Sequence, residues 1–237
     1  MEIPRGTMLE VWSHPDDMNF VAAGTTRRHL EARNNVVCIT ATRGESGETA
    51  DEELWPTEHL REIRTGEQLA SLDCIGEIEH HWLDYPDNGL TQVDGAVAVE
   101  QISEHIQRVQ PAVILTWEPE GMTGSPDHRK VSEWTVTAAG LVAPNIPVLG
   151  AIQAEATYLA AGINLHNEIN LYFNITQPPL ATRDSAASYE ELTPEEIDMK
   201  MKSLEAHASQ TSRIFANDAL RALLRKYVSV EAFIRLN

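Results

Sequence analysis

The stretch from Met8 to Gly24 constrains the fold most. An apolar run, Met8-Leu-Glu-Val-Trp12, stops abruptly at His14-Pro-Asp-Asp17, and Phe20-Val-Ala-Ala-Gly24 then opens a helical pattern. Strand, tight turn and helix in that order build an open α/β sheet, which presents its chemistry at the carboxyl ends of its strands. Pro15 has a fixed φ and is tolerated in the first turn of a helix. Asp16 and Asp17 then lie near the helix N-terminus, where the macrodipole favours anions. One imidazole and two carboxylates converge on a single loop, either as metal ligands or as a ligand pair plus a general base.

The alternation continues through the first half of the chain. A helix over Phe20–Arg33 leads to the β-branched run Val36–Thr42, a buried parallel strand that closes a right-handed βαβ unit. Arg43 to Glu58 is expected to be a long acidic loop at the same sheet edge as His14, with Trp55 the one residue suited to cover a pocket. Then come a helix from Glu58 to Leu72, a strand over Ile78–Leu83, a turn at Asp87-Asn-Gly89, a helix over Val97–Val109 and a strand over Pro111–Trp117. A Gly-containing loop ends in Asp127-His128 and a further helix. Beyond Gly140 the pattern weakens. Ile169–Ile175 alternates like a strand, and Thr193-Pro-Glu-Glu196 is a capping box opening a helix to about Ala208. No repeat or linker interrupts the chain, so residues 1–237 are expected to form one α/β domain, Rossmann-like, with a mainly parallel sheet and helices on both faces.

The formal net charge is −18. This argues against nucleic acid and anionic membranes as partners, because phosphate binding needs a basic surface. No apolar run approaches the ~20 residues that cross a bilayer. Met1–Arg5 lacks the succession of a secretory signal. Cys38 and Cys74, far apart in apolar surroundings, read as buried free thiols in a reducing cytoplasm.

His14 follows the first strand and His128 the fourth, on one carboxyl edge. With Asp17 they give two imidazoles and a carboxylate, leaving one position open for water, as in a catalytic zinc site. Five motifs appear in order: His14-Pro-Asp-Asp17, Thr42-Arg-Gly-Glu45, Arg64-Thr-Gly-Glu67, Gly121-Met-Thr-Gly-Ser-Pro-Asp-His128 and His207-Ala-Ser-Gln210. Together they resemble the LmbE-like, or PIG-L, deacetylases, zinc enzymes that remove acetyl groups from N-acetylglucosamine units of small conjugates. The resemblance runs from about Leu9 to Gln210. It implies His14, Asp17 and His128 as zinc ligands and Asp16 as the general base. It also implies Arg64 as a substrate contact and Asp87 as a sugar contact.

Two positions depart from the family. Met18 stands where a supporting glutamate is usual, and Ser125 stands where a histidine stabilises the oxyanion. Loss of one oxyanion donor costs about 10²–10³ in rate. Ser125 itself, or His207 or His166, is then the candidate substitute.

Other histidines read blandly: His80 and His81 on opposite faces of a strand, and His29, His59 and His105 solvated. Asp127 reads as a helix cap or as a carboxylate orienting a histidine. Arg64 and Glu67, at i and i+3, read without the resemblance as an ordinary helix pair.

The sequence thus points to a zinc-dependent amidohydrolase acting on a small N-acetyl amino-sugar conjugate in the cytoplasm. Another divalent metal such as Fe2+ and a homo-oligomer are compatible with it. Two alternatives are an impaired metal- or sugar-binding member and a non-haem iron oxygenase, whose two-His-one-carboxylate site normally sits on an all-β barrel.

Overall fold

A computed structural model describes residues 3–237, so the first two residues of the Met1–Arg5 stretch lie outside it. Among the described residues eight strands form one sheet: β1 (Met8–Trp12), β2 (Val36–Thr42), β3 (Glu79–Tyr85), β4 (Val113–Trp117), β5 (Val148–Ala154), β6 (Leu180–Ala181), β7 (Ser188–Glu191) and β8 (Val230–Arg235). Their order is β3-β2-β1-β4-β5-β8-β7, with β6 paired to β5 beyond that path. The pairs from β3 across to β5 are parallel, whereas β5–β8 and β7–β8 are antiparallel. After β1 the chain moves outward one way through β2 and β3, then returns to the other side of β1 for β4 and β5. The order therefore reverses between β1 and β4, and a crevice opens beyond their carboxyl ends.

The helices are α1 (Asp17–Val21), α2 (Ala23–Glu31), α3 (Leu60–Ile75), α4 (Gly95–Val109), the short α5 (Gly121–Gly124), α6 (Pro126–Val142), α7 (Glu155–Thr157), α8 (Ile163–Ile169), α9 (Pro194–Glu205), α10 (Ala208–Phe215) and α11 (Asp218–Tyr227). A π turn, Tyr158–Gly162, joins α7 to α8. Period-two alternation along β1 sends Met8 and Trp12 to one face and Leu9 and Val11 to the other. The first face packs with Leu72, Ile75, Met201, Leu204 and Leu224 of α3, α9 and α11. The second packs with Ala98, Ile102, Ile106, Val131 and Trp134 of α4 and α6. This is the expected α/β layering with helices on both faces, and it is not the all-β barrel of the oxygenase alternative. No helix of the described residues is long and apolar enough to cross a membrane.

Several local expectations are corrected. The single helix expected from Phe20 is two helices, broken at Ala22 (φ −139°, ψ −5°). The break is stabilised from a distance: the Glu231 carboxylate of β8 accepts the Gly24 and Thr25 N–H groups at 2.8 and 2.7 Å. It satisfies donors that a helix start leaves open. Ile169–Ile175 is not a strand. α8 ends at Ile169, Asn170 turns left-handed (φ 55°), and the segment continues as turns. The strands that pattern reading missed are β5, β6, β7 and β8; the run of β5 is interrupted by Gly150, where a Cβ would come within 2.8 Å of the Glu118 Cα. The capping-box helix ends at Glu205, and His207 begins a new one. His29 is buried rather than solvated and lies 2.7 Å from the Gly6 carbonyl. Cys38 is buried, but Cys74 is only half-buried.

Candidate functional site

The β1 loop is closed by its own carboxylate. Asp17 Oδ2 accepts the Ser13 and His14 N–H groups at 3.0 and 2.8 Å. This wraps the turn around the side chain and leaves Oδ1 facing outward. The residue before it, Asp16, has φ 84° and ψ −28°, a conformation that non-glycine residues rarely adopt and that clusters at functional sites. α3 holds it there. Gln68 Oε1 accepts the Asp16 N–H at 3.3 Å, and Arg64 Nη2 donates to the Pro15 carbonyl at 3.0 Å and to Asp16 Oδ1 at 3.3 Å. Nη1 of the same guanidinium donates to the Gly44 carbonyl at 2.8 Å. Gly44 is left-handed (φ 70°) and lies flat on the guanidinium, where any Cβ would collide with it. Arg64 and Glu67 are not the expected helix pair: Glu67 instead takes the Ser209 N–H and hydroxyl, both at 2.7 Å.

The β4 loop delivers the second imidazole. His128 sits in the first turn of α6, and its Nδ1 lies 2.9 Å from the Gly121 carbonyl. A carbonyl only accepts, so the proton is on Nδ1 and the Nε2 lone pair is free. The ring stacks on Trp117 at 4.1 Å with planes 5° apart. Gly121, at φ 71°, is required because a Cβ there would lie 2.6 Å from the His128 Cβ.

His14 is oriented by two carboxylates. Its Nε2 lies 3.1 Å from Asp87 Oδ1 and 3.5 Å from Asp127 Oδ2. Asp87 and Asp127 are themselves fixed, accepting N–H groups from Ser46, Asn88 and Leu90. These partners place the His14 proton on Nε2 and its lone pair on Nδ1. His14 Nδ1 and His128 Nε2 lie 3.1 Å apart, and each can turn a lone pair toward a shared cation. Asp17 oxygens lie 3.7 Å from the first and 3.5 Å from the second. Donors on a tetrahedral ion with bonds of about 2.0–2.1 Å are roughly 3.3–3.4 Å apart. With the His14 proton on Nε2, the set matches a cation in spacing, number and chemistry. His14, Asp17 and His128 form one of two candidate metal groupings among the described residues. The other, His14 with Asp87 and Asp127, is the orienting set just described.

The same three groups are coupled electrostatically. Burial opposes the charged forms at both His14 and Asp17, but each is outweighed by its partners: the His14 imidazole is held well above its usual range by Asp17, and Asp17 well below its own by His128 and His14. Burial pushes the neighbouring Asp16 carboxyl up to about 7, against the opposing pull of Arg64. An acid poised near neutrality suits a group that takes up and returns a proton.

The other sequence candidates fall into two groups. Ser125 is the N-cap residue of α6, on the turn that carries Asp127 and His128, and its side chain makes no cap bond. Arg64 and Asp87 border the site, but their side chains are only 5% and 4% exposed. Asp87 stands behind His14 as an orienting carboxylate. His207 is not on the open face. His207 is completely buried with Nε2 3.0 Å from Asn19 Oδ1, and burial lowers it to about 3. His166 Nδ1 accepts the Tyr172 N–H at 3.1 Å. Met18 is packed in the core and supplies no carboxylate. Sequence reading passed over Trp117, Gln68 and Asn19, whose local sequences hold no chemical signal, and left Asp127 open between a cap and an orienting role.

Residues 9–139 match the family model described as PIG-L, GlcNAc-PI de-N-acetylase. Over 163 residues the chain is 34% identical to a 1D-myo-inositol 2-acetamido-2-deoxy-alpha-D-glucopyranoside deacetylase of Kineococcus radiotolerans, covering 57% of this chain and 45% of that protein. A second deacetylase of that description, from Catenulispora acidiphila, is 29% identical over 242 residues, covering 92% of this chain and 76% of that one. The match to the Saccharomonospora viridis protein covers 53% of its length, so against two of these three relatives the chain spans about half of the protein it matches. Among solved structures, the N,N'-diacetylchitobiose deacetylase from Pyrococcus horikoshii superposes with a TM-score of 0.68 at 20% identity, covering 97% of this chain and 83% of that one. The 4-carboxy-2-hydroxymuconate hydratase from Pseudomonas putida superposes with a TM-score of 0.70 at 14% identity, covering 98% and 96%. Fold, motif order and the match over more than half of its length agree: the chain belongs to the PIG-L, or GlcNAc-PI de-N-acetylase, family.

Proposed function

We propose that the protein is a zinc-dependent hydrolase that removes the N-acetyl group from a small amino-sugar conjugate. The observation that carries this reading is the pair of imidazole nitrogens, His14 Nδ1 and His128 Nε2, 3.1 Å apart beside the Asp17 carboxylate, with Asp16 next to them. When bound, the metal lowers the pKa of water to about 7 and polarises the amide carbonyl. His14, Asp17 and His128 hold it, and Asp87 and Asp127 fix the tautomer of His14. Asp16 takes the proton of the attacking water through its carboxylate and returns it to the leaving nitrogen. Arg64 keeps Asp16 in its left-handed backbone and offers the sugar only an edge of its guanidinium. Asp87, equally enclosed, offers only an edge of its carboxylate.

Ser125 sets the expected rate. A hydroxyl replaces an imidazole beside the developing oxyanion, so turnover is slow rather than absent. The fold does not choose the reaction, since a hydratase shares it; the donor set and Asp16 do. A binding-only role is the second reading, favoured by the Ser125 and Met18 replacements.

The test is acetate release from N-acetylglucosaminyl-inositol and from a simple N-acetylglucosamine glycoside, with zinc supplied and with zinc chelated. Zinc-dependent release that is lost in Asp16→Asn supports hydrolysis. Release no greater than in Asp16→Asn, in a protein that still binds zinc, establishes the binding-only role.

A further inference from the structure

The His207-Ala-Ser-Gln210 motif lies beyond the region matched by the family model and takes no part in the chemistry above. Its placement gives it another task. α1 carries Asp17 and Asn19 yet is only five residues long, and its N-cap, Asp16, makes no side-chain cap bond. So short a helix does not hold its own shape, because forming the first turn is unfavourable. It also follows a residue in a strained conformation, which persists only where the surroundings over-determine it. Struts from outside must therefore fix it.

α3 supplies one set through Gln68 and Arg64. The start of α10 supplies the other. His207 is the N-cap residue of α10, and its carbonyl accepts the Gln210 and Thr211 N–H groups at 2.9 Å each, which locks its backbone. Its Nε2 meets Asn19 Oδ1 at 3.0 Å, two residues beyond Asp17. Ser71 of α3 donates to the same Asn19 oxygen at 3.4 Å. An amide oxygen only accepts, so His207 presents Nε2–H. Both residues are fully buried. Two residues on, Ser209 grips Glu67, which lies on α3 between Arg64 on one side and Gln68 and Ser71 on the other, and the Ser209 carbonyl accepts the Ala50 N–H at 2.7 Å. Arg213 Nε donates to the Ala50 carbonyl at 2.8 Å. One turn of α10 thus joins α1, α3 and the loop at 44–50, the three segments around Asp16 and Asp17.

We infer that His207, acting through Asn19, is a positioning residue for the metal site. It holds α1 so that Asp17 faces the two imidazoles. The inference rests on the metal-site reading above, and it replaces the oxyanion-donor role with one that needs no access to substrate.

The test compares full-length parent, His207→Leu, His207→Gln and Asn19→Ala. Co2+ affinity is read by competition with a chelator, site geometry by the Co2+ absorption bands, and stability by thermal unfolding of the metal-free protein. Loss of support behind a ligand typically weakens metal binding about 10–100-fold. His207→Leu and Asn19→Ala should each show a loss in that range with shifted bands. His207→Gln, whose carboxamide N–H can take the place of Nε2–H, should recover most of the affinity. Parent-like affinity and bands in His207→Leu, whatever the change in Tm, would overturn the inference. If His207→Leu does not fold, parent-like values in Asn19→Ala overturn it instead. Co2+ affinity is independent of turnover. A parent without acetate release whose metal binding still responds to these variants would refute the deacetylase reading and leave this one standing.

Discussion

Glu10 offers a test of how this core tolerates charge. It lies in the middle of β1, completely buried. Oε1 meets the Thr26 hydroxyl at 2.5 Å, and Oε2 accepts the Trp12 Nε1–H at 2.9 Å. The Glu231 carboxylate acts on it through space, and Glu231 in turn pairs with the Lys200 ammonium at 2.6 Å. Burial first, and Glu231 second, push the Glu10 carboxyl from 4.5 to about 7, against the opposing hydrogen bonds from Thr26 and Trp12. The folded-state value is raised, so the unfolded chain ionises first as pH rises. Below about 4.5 Glu10 is protonated in both states and costs nothing. Between about 4.5 and 7 stability falls as pH rises, and above 7 the loss levels off. At about 1.36 kcal/mol per unit, the full penalty is roughly 3 kcal/mol, and the part gained between pH 5 and pH 8 is about 2.5 kcal/mol.

Glu10→Gln removes that titration. The carboxamide oxygen can accept from Trp12 and the amide can donate to the Thr26 oxygen, while the Thr26 hydroxyl donates to the Ala22 carbonyl, 2.9 Å away. One amide hydrogen remains unpaired, at a cost of about 1–3 kcal/mol. At pH 5, where about 0.8 kcal/mol of the parent's penalty is already present, the variant should therefore be weaker than the parent by up to about 2 kcal/mol. By pH 8 it should have gained about 2.5 kcal/mol relative to it. The assay is urea unfolding of the metal-free proteins at pH 5, 6.5 and 8, which removes metal linkage from the comparison. A stability difference between parent and variant that stays constant within about 0.5 kcal/mol over this range would refute the argument.

Three further outcomes are expected. His128→Ala should lose tight zinc binding, measured by competition with a chelator, because only His14 and Asp17 remain; parent-like affinity would dismiss the assigned donor set. Asp16→Asn should keep the metal and lose acetate release, since an amide does not accept the water's proton; surviving turnover would remove Asp16 from the base role. Ser125→His should raise kcat/KM on a simple N-acetylglucosamine glycoside, by up to about 10²-fold if the imidazole is held correctly. An unchanged or lower rate there would show that the turn at Ser125 is shaped for another substrate.

The chain itself determined the parts whose chemistry is local. Met8 to Asp17 reads as strand, turn and acidic helix start because apolar run, Pro15 and paired carboxylates are adjacent. Pro126-Asp-His128 announces its helix and its imidazole in the same way. Alternating β and α patterns imply strand ends on one edge, which is enough to bring His14 to His128 across a separation of 114 positions. The tertiary structure decided what stands behind those ligands. That Asp87 and Asp127 face His14, that Arg64 clamps Asp16 rather than pairing with Glu67, and that His207 is enclosed against Asn19 are contacts between segments with no shared periodicity. The split between α1 and α2 depends likewise on Glu231, more than 200 residues away. Period and propensity report which face of an element is buried, but not which polar partner meets it there. That partner is fixed only when the helices dock and each buried donor must find an acceptor.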